Sequence, residues 1–481
     1  MLFNSIEFLI FFPIVLCTYF IIPDRFQKIW LLVCSYFFYM FWDSKYVLLL
    51  IFITLCTFIA GLLLKNRNKK DRKRVVAGAV ILCIFILCIF KYGAFIMDNI
   101  NAVLQMFQSS INVKTYSFVL PMGISFYTFA SVGYIFDVYR GKVPVEKNIV
   151  DYALFVSFFP TVVSGPIERS DNLLVQIGMQ QKFDWERVKR GLMWMLYGYF
   201  VKIVIADRAA IVVNNVYDNY TQYSGSICLV ASLLFTFQIY CDFCGYTNIA
   251  RGAALILGFD LVDNFRQPYL ASSIKDFWSR WHLSLSRWFR DYLYIPLGGN
   301  RKGKYRACIN KLITFLISGL WHGAAWHYVI WGGLHGIYQI VEDIFITGNG
   351  KDIKGWKKIL AIIVTFFFVS FAWVFFRANT ISDAMGILGS IWGSFNYMSL
   401  LDGTLWNLGW GRMQMVGLFG GCILIMFVDV IMEYRNVLGF KAMFRTPFIK
   451  TAISYIMIIY ILIVTVQSYG QNASSFIYAQ F

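Results

Sequence analysis

The chain has 481 residues, of which 59% are hydrophobic and only 14% are charged. Soluble domains are about 45–50% apolar and about 25% charged, so this composition excludes a soluble fold; it also excludes a disordered chain, which would be poor in apolar residues. The net charge of +17 lies in short loops between apolar runs, where it indicates contact with anionic membrane lipid rather than with nucleic acid. The sequence therefore predicts an all-α polytopic membrane protein.

A transmembrane helix needs about 20 mainly apolar residues. Candidate runs begin near Ile6, Trp30, Tyr46, Val75, Phe118, Val188, Ile227, Cys308, Trp326, Ile359, Met413 and Thr451. We expect about eleven transmembrane helices, the first of which stays in place because residues 5–23 have neither a basic leader nor a cleavage site. The run at residues 149–163 is short and contains Pro160, so it predicts a re-entrant segment surrounded by protein.

Charge sets the expected orientation. Residues 65–74 carry seven basic side chains and one acidic side chain, and residues 261–306 carry nine and three, so both segments are predicted to be cytoplasmic. The second segment includes a predicted amphipathic helix. We expect one transmembrane domain at residues 1–468, with a core at about 118–345, and an uncharged outer tail at 469–481.

All four histidines of the chain, His282, His322, His327 and His335, fall within residues 282–335. Ionisable side chains in membrane segments indicate function, and histidine is the commonest general base. Counted along one helix, His327 and His335 lie about 140° and 220° from His322, which argues against a three-histidine metal site. For His327 and His335 the alternative to a functional role is a structural hydrogen bond to a neighbouring helix. No metal is expected at the Cys-x-x-Cys pair of residues 241–244 either, because no second pair accompanies it.

Two other polar features stand out. A basic shelf follows His282 and includes Arg287, Arg290 and Arg301; it either anchors the protein on anionic lipid or binds a phosphate-bearing donor at the cytoplasmic mouth. Asp242 interrupts an apolar run and needs a partner. It either orients a histidine or an arginine, or caps a helix break near Gly245.

Five sequence blocks carry a resemblance to a known family. They are LPMGISFYTF at 120–129, FFPTVVSGPIERS at 158–170, QIYCDFCGYTNIARG at 238–252, the run from DNFRQPYL to LGGNRKG at 263–303 and SGLWHGAAWHYVIWGGLHG at 318–336. In this order they resemble the membrane-bound O-acyltransferase family, in the bacterial branch that O-acetylates alginate and peptidoglycan. The D-alanyl transfer protein of teichoic acids is a more distant relative.

The resemblance implies a fold and a reaction. The fold is a ring of membrane helices around a central tunnel between a cytoplasmic donor site and an outer funnel. The family's catalytic histidine corresponds to His322 and its second polar residue to His282. The expected donor is acetyl-CoA, with no bound cofactor. Asp242, Tyr246 and Trp321 are expected to support the site, and Arg280, Arg287, Arg290 and Arg301 to bind the donor.

The chain's last six residues, FIYAQF at 476–481, resemble a C-terminal motif of this branch in which the tyrosine is proposed to carry the acyl group. The resemblance implies that Tyr478 carries the acyl group and that a separate extracytoplasmic transferase, of the SGNH type, then transfers it to a surface polysaccharide. It also implies that the protein lies in a bacterial cytoplasmic membrane. The alternatives are an interfacial anchor for the tail, D-alanyl transfer from a carrier protein to teichoic acid, and a transporter without chemistry.

Overall fold

The computed structural model describes residues 1–65, 67–108, 111–116, 118–345, 353–435 and 447–468, and these ranges are helical with no β-strand. The α-helices are α1 Ile6–Ile21, α2 Asp24–Met40, α3 Val47–Leu63, α4 Lys69–Leu87, α5 Gly93–Met106, α6 Ile124–Tyr139, α7 Ile149–Ser157, α8 Phe159–Val162, α9 Val175–Gly178, α10 Trp185–Tyr199, α11 Asp207–Asp218, α12 Gly225–Leu257, α13 Ile274–Trp278, α14 Leu283–Phe289, α15 Lys304–His322, α16 Trp326–Phe345, α17 Trp356–Arg377, α18 Ile381–Gly393, α19 Arg412–Tyr434 and α20 Pro447–Gln467. Four π-helical segments are Cys88–Tyr92, Ser170–Leu174, Phe200–Ala206 and Arg290–Tyr294. Short 3₁₀ turns are Ser44–Tyr46, Tyr220–Gln222, Pro268–Leu270, Tyr397–Leu400 and Thr404–Asn407.

The all-helical prediction is confirmed. Five helices of the described chain are long and apolar enough to cross a membrane: Ser44–Leu63, Lys69–Met106, Gly225–Leu257, Trp356–Arg377 and Arg412–Tyr434. Two shorter apolar helices, Ile6–Ile21 and Thr451–Gln467, accompany them. The protein is therefore a multi-pass membrane protein, while the number of about eleven spans remains a prediction, as does the division into a domain and an outer tail.

The segment predicted to be re-entrant is a broken helix. Helix α7 stops at Ser157, and α8 begins directly after Phe158, whose ψ of 116° leaves the helical region. Residues 151–168 are all buried, and Phe159 N donates to Ser35 Oγ on α2 at 3.1 Å. A polar side chain of the protein thus satisfies the backbone that the break releases, as membrane depth requires.

Helix α12 is the central helix of the structure, and most of its length is buried. It runs unbroken through Gly245, so Asp242 does not cap a break. Glycines let α10 approach closely: a Cβ at Gly198 would lie 2.6 Å from Gly245 O, and one at Gly252 would lie 2.5 Å from Gly191 O. Such small-residue contacts are the usual way to pack membrane helices.

Helices α15 and α16 form a hairpin, not one helix. Helix α15 ends at His322, and Gly323 has extended backbone with φ −169° and ψ 149°. A Cβ at Gly319 would lie 2.2 Å from Tyr328 O, so α16 packs closely against α15 at this glycine. Counting angles along one helix from His322 to His335 was therefore wrong, because the chain reverses between them.

Candidate functional site

His322 is buried at the last position of α15. Its ring contacts Trp321 with centroids 4.8 Å apart, Trp331 at 4.9 Å and Phe376 at 5.4 Å, all with steeply inclined ring planes. Edge-to-face contacts of this kind fix the orientation of a ring. The imidazole therefore sits in a defined aromatic frame built from α15, α16 and α17.

His282 is buried too, in the loop that begins α14. Its backbone has φ 43° and ψ 56°, a left-handed conformation that costs a non-glycine residue about 1–2 kcal/mol. Asn264 holds this turn: its backbone oxygen accepts from Leu283 N at 3.0 Å, and its Oδ1 accepts from Ser284 N at 3.1 Å. Sequence reasoning missed Asn264, which is one of several amides in residues 261–306.

Trp321 joins the two histidines. Its ring lies 4.8 Å from the His322 centroid and 6.1 Å from that of His282, which also contacts Phe243 of α12 at 4.6 Å. Residues that lie 40 apart in the sequence thus flank one indole. The structure brings together three residues that the sequence singled out for the site.

The other two histidines take different positions. His327 Nδ1 lies 3.0 Å from Phe375 O, the kind of structural hydrogen bond that the alternative interpretation predicted. His335 accepts a hydrogen bond on Nδ1 from Trp278 Nε1 at 3.2 Å, and its ring contacts Trp331 at 5.2 Å. Because His322 contacts the same Trp331, His335 is nearer to the site than the helix count predicted.

Asp242 and Tyr246 make contacts that the sequence did not predict. Lys202, in the π-helical segment after α10, places its Nζ 2.5 Å from Asp242 and 2.6 Å from Asp207. The partner of Asp242 is thus a lysine, where a histidine or an arginine was expected. Tyr246 OH accepts from Phe3 N at 3.2 Å. Lys202 is a lone lysine in an apolar run, and that signal could have identified it.

A cavity of about 460 Å³ is lined by close neighbours of His282 and His322, although neither histidine itself lines it. This volume is within the range of about 300–1,000 Å³ that small-molecule sites occupy. Its lining includes four basic side chains, Lys275, Arg287, Arg290 and Lys311. The lining also includes Leu283, which follows His282 in the chain, Ser318, which lies one helical turn before His322, and Trp278, whose ring contacts Trp331. The four basic side chains, here called the basic rim, therefore share one cavity with close neighbours of both histidines.

The four arginines predicted to bind the donor separate into two groups. Arg287 and Arg290 line the cavity, and Arg290 also pairs with Asp291 at 2.7 Å. Arg301 is not among the lining residues. Arg280 forms a two-pronged ion pair with Glu433, at 2.8 and 2.9 Å, and a further one with Asp276 at 2.8 Å. Burial opposes its charge, but these hydrogen bonds outweigh burial and raise the pKa of Arg280.

Comparison with known proteins agrees with this architecture. The model of the MBOAT, membrane-bound O-acyltransferase family matches residues 143–381, which include all four histidines. A probable alginate O-acetylase AlgI of Pseudomonas putida is 36% identical over 435 residues, 89% of this chain and 86% of that protein. A peptidoglycan O-acetyltransferase of Helicobacter pylori is 35% identical, over 82% of this chain and 80% of that protein. A teichoic acid D-alanyltransferase of Bacillus subtilis is 29% identical, over 68% of this chain and 85% of that protein.

The chain belongs to the membrane-bound O-acyltransferase family. It is accordingly an acyltransferase, which decides between the enzyme and the transporter in favour of the enzyme. The predicted roles of individual residues remain predictions at this point. Tyr478 and the rest of the tail at 469–481 lie outside the described residues.

The buried group of Lys202, Asp207 and Asp242 makes a stability prediction. Lys202→Met leaves two carboxylates without their cation, and we expect it to lower the free energy of unfolding by about 3–5 kcal/mol, as for other broken buried ion pairs. Lys189→Met is the control, because Lys189 forms an exposed ion pair with Glu186 that is worth at most about 1 kcal/mol. Thermal unfolding of both purified variants measures the difference, and equal melting temperatures would contradict the prediction.

Proposed function

We propose that this protein transfers an acetyl group from cytoplasmic acetyl-CoA towards the outer face of a bacterial cytoplasmic membrane, for O-acetylation of an extracytoplasmic polysaccharide. The observation that carries the proposal is the pair His282 and His322, which flank Trp321 and whose close neighbours Leu283 and Ser318 line a cavity with a basic rim. The names of the bacterial relatives support the acetyl group and the polymer class.

His322 is the general base in this proposal. Its imidazole takes the proton of an acceptor hydroxyl while the hydroxyl oxygen attacks the thioester carbonyl. The tetrahedral intermediate then collapses, the C–S bond breaks, and the proton passes from His322 to the departing thiolate, so that an ester and free CoA result. Positioned base catalysis of this kind contributes about 10²–10⁴-fold. His282 donates a hydrogen bond to the carbonyl oxygen, where negative charge develops.

In this proposal the donor occupies the cavity that close neighbours of the histidines line. The arginines of its rim are suited to the phosphates of CoA, because an arginine fork binds phosphate with two parallel hydrogen bonds, whereas Lys275 and Lys311 already form ion pairs with Asp343. Arg287 is suited to this role, because its guanidinium is exposed at the rim and forms no ion pair with the described residues. Arg280 is less suited, since Glu433 and Asp276 already occupy its guanidinium. We therefore assign Arg280 to holding the cytoplasmic segment against α19.

The acceptor in this proposal is the hydroxyl of Tyr478. A cytoplasmic thioester and an outer polymer are separated by about 30 Å of hydrocarbon, so the acyl group needs a carrier. Ser468 is the last residue described, and the ten residues from there to Tyr478 can extend about 33 Å. A phenol, with pKa about 10, is a better leaving group than a sugar hydroxyl, so an acetyl-tyrosine remains an active donor. A separate transferase, of the SGNH type, completes the transfer to the polymer.

D-Alanyl transfer to teichoic acid is the second candidate, supported by the 29% identity with the D-alanyltransferase of Bacillus subtilis. The same base and the same tyrosine would serve it, but the donor would be an aminoacylated carrier protein. The mass added to the tail distinguishes an acetyl from a D-alanyl group.

Removal of the base tests the proposal directly. We expect His322→Ala to lower turnover of labelled acetyl-CoA by about 10²–10⁴-fold, because the acceptor hydroxyl loses its proton acceptor. His327→Ala is the matched control, since it removes a histidine of the same hairpin whose Nδ1 lies against Phe375 O. It should keep turnover and lose only about 1 kcal/mol of stability. Equal loss of turnover in both variants, at equal expression, would make the histidines structural.

The basic rim predicts an effect on donor binding. Arg287→Gln combined with Arg290→Gln should raise KM for acetyl-CoA and change kcat little, because contacts to the phosphates act equally in the ground state and the transition state. The control is Lys70→Gln combined with Lys73→Gln, which removes the same charge from exposed positions of α4. A fall in kcat at constant KM in the arginine variant would exclude the rim as the donor site.

The carrier role predicts a defined modification. Mass spectrometry of the C-terminal peptide, after incubation with acetyl-CoA, should find one acetyl group on Tyr478 and none in Tyr478→Phe. The variant keeps the aromatic ring, so expression and membrane insertion should be unchanged while surface acetylation stops. Full surface acetylation by Tyr478→Phe would show that the tyrosine is an interfacial anchor only.

A further inference from the structure

A buried lysine interrupts one of the membrane-spanning helices. Lys91 belongs to the π-helical segment Cys88–Tyr92, within the helical run Lys69–Met106 that is long and apolar enough to cross a membrane. The exposed fraction of Lys91 is 9%. A π-helical turn inside an α-helix is uncommon and is frequently found at functional sites. An ionisable side chain at membrane depth is costly and is retained where it has a function.

No carboxylate pairs with this lysine in the described part of the chain. Lys91 Nζ donates to the backbone oxygen of Trp321 and to Ser125 Oγ, the latter at 3.2 Å. The ammonium also lies 5.5 Å from the centroid of the Trp321 ring. Its surroundings are therefore two hydrogen-bond acceptors, a carbonyl oxygen and a hydroxyl, and an aromatic face of the kind that contacts cations.

These contacts fall at the end of α15. The last four carbonyl groups of a helix have no donor within the helix, and they form the negative end of its dipole. Lys91 supplies a donor to Trp321 O, and the neighbouring Tyr92 OH supplies one to Leu320 O at 3.0 Å. The extended backbone at Gly323 ends the helix immediately afterwards, so the π-helical turn supplies donors to carbonyl groups that have none within α15.

The end of α15 is also where the site is built. Trp321 contacts both His322 and His282, so any tilt of its backbone carbonyl or its ring moves the two histidines relative to each other. A misplacement of about 1 Å can cost about 10²-fold in rate. A lysine that holds Trp321 at two points, its carbonyl and its ring, restricts that movement.

We propose that Lys91 is a positioning residue for acyl transfer: its ammonium caps the C-terminal end of α15 and holds Trp321, and through Trp321 the histidine pair, in the reactive geometry. Lys91 touches neither donor nor acceptor in this proposal. The inference rests on the proposed function in one respect, that His322 is the base.

The test compares three single variants of the full-length protein in lipid nanodiscs, with labelled acetyl-CoA as the donor. Lys91→Met removes the charge and keeps the length of the side chain, and Lys91→Arg keeps a cation that can donate hydrogen bonds. Tyr92→Phe is the matched control, because it removes the neighbouring hydrogen bond to Leu320 O and leaves Trp321 O capped. For each variant kcat, the KM for acetyl-CoA and the melting temperature are measured.

Lys91→Met should lower kcat by about 10²-fold, the cost of a misplaced catalytic group, while the donor KM and the folded fraction stay close to wild type. Lys91→Arg should restore most of kcat, and Tyr92→Phe should change it several-fold at most. A purely structural role would not produce this separation of kcat from KM and from folding. If Lys91→Met does not fold, Lys91→Gln replaces it and is judged in the same way.

The proposal would be overturned by a wild-type kcat in Lys91→Met or by an effect of this substitution on KM alone. It would also be overturned if neither Lys91→Met nor Lys91→Gln folds. Lack of rescue by Lys91→Arg together with an equal loss in Tyr92→Phe would overturn it as well. Full activity of His322→Ala would instead contradict the proposed function, and that variant is measured in parallel. The two failures are therefore distinguishable.

Discussion

Every polar group that this protein carries into the hydrocarbon has to be satisfied by the protein itself. Water is absent there, and each unsatisfied backbone group costs several kcal/mol. The broken α7–α8 segment meets this requirement with Ser35, and the end of α15 meets it with Lys91 and Tyr92. The irregular backbone that a membrane-embedded site needs is thus possible only because other helices supply its hydrogen-bond partners.

The same constraint explains the aromatic character of the site. Buried imidazole rings need surroundings that orient them. Tryptophan and phenylalanine do this through inclined ring contacts, and Trp321 and Trp331 each contact two of the histidines. The buried charged side chains have defined partners, such as the two aspartates beside Lys202 and the Trp321 carbonyl oxygen that accepts from Lys91.

The segment between α12 and α15 connects the buried aromatic site with the basic rim of the cavity. Arg280 ties it to α19 through Glu433, and Asn264 sets the left-handed turn that presents His282. The same segment contributes both basic and apolar side chains to the lining of the cavity, among them Arg287, Arg290 and Leu283.

Much of this was determined by the sequence alone. Composition and hydropathy decided the membrane class, since no soluble fold could cover so much apolar surface, and Pro160 predicted the broken segment. The block at 318–336 pointed to His322, and charge patterning located the basic rim at Arg287 and Arg290. These features are local, and a local pattern can be read without knowing the fold.

Only the tertiary structure decided the pairings. Lys91 and Trp321 are 230 positions apart, and Lys202 and Asp242 belong to different helices, so no spacing in the sequence relates them. The break at Gly323 invalidated the angle counted between His322 and His335, because the two histidines lie on different helices and one continuous helix was assumed. Contacts of this kind depend on how helices cross in three dimensions, and side-chain periodicity along one helix carries no information about its neighbours.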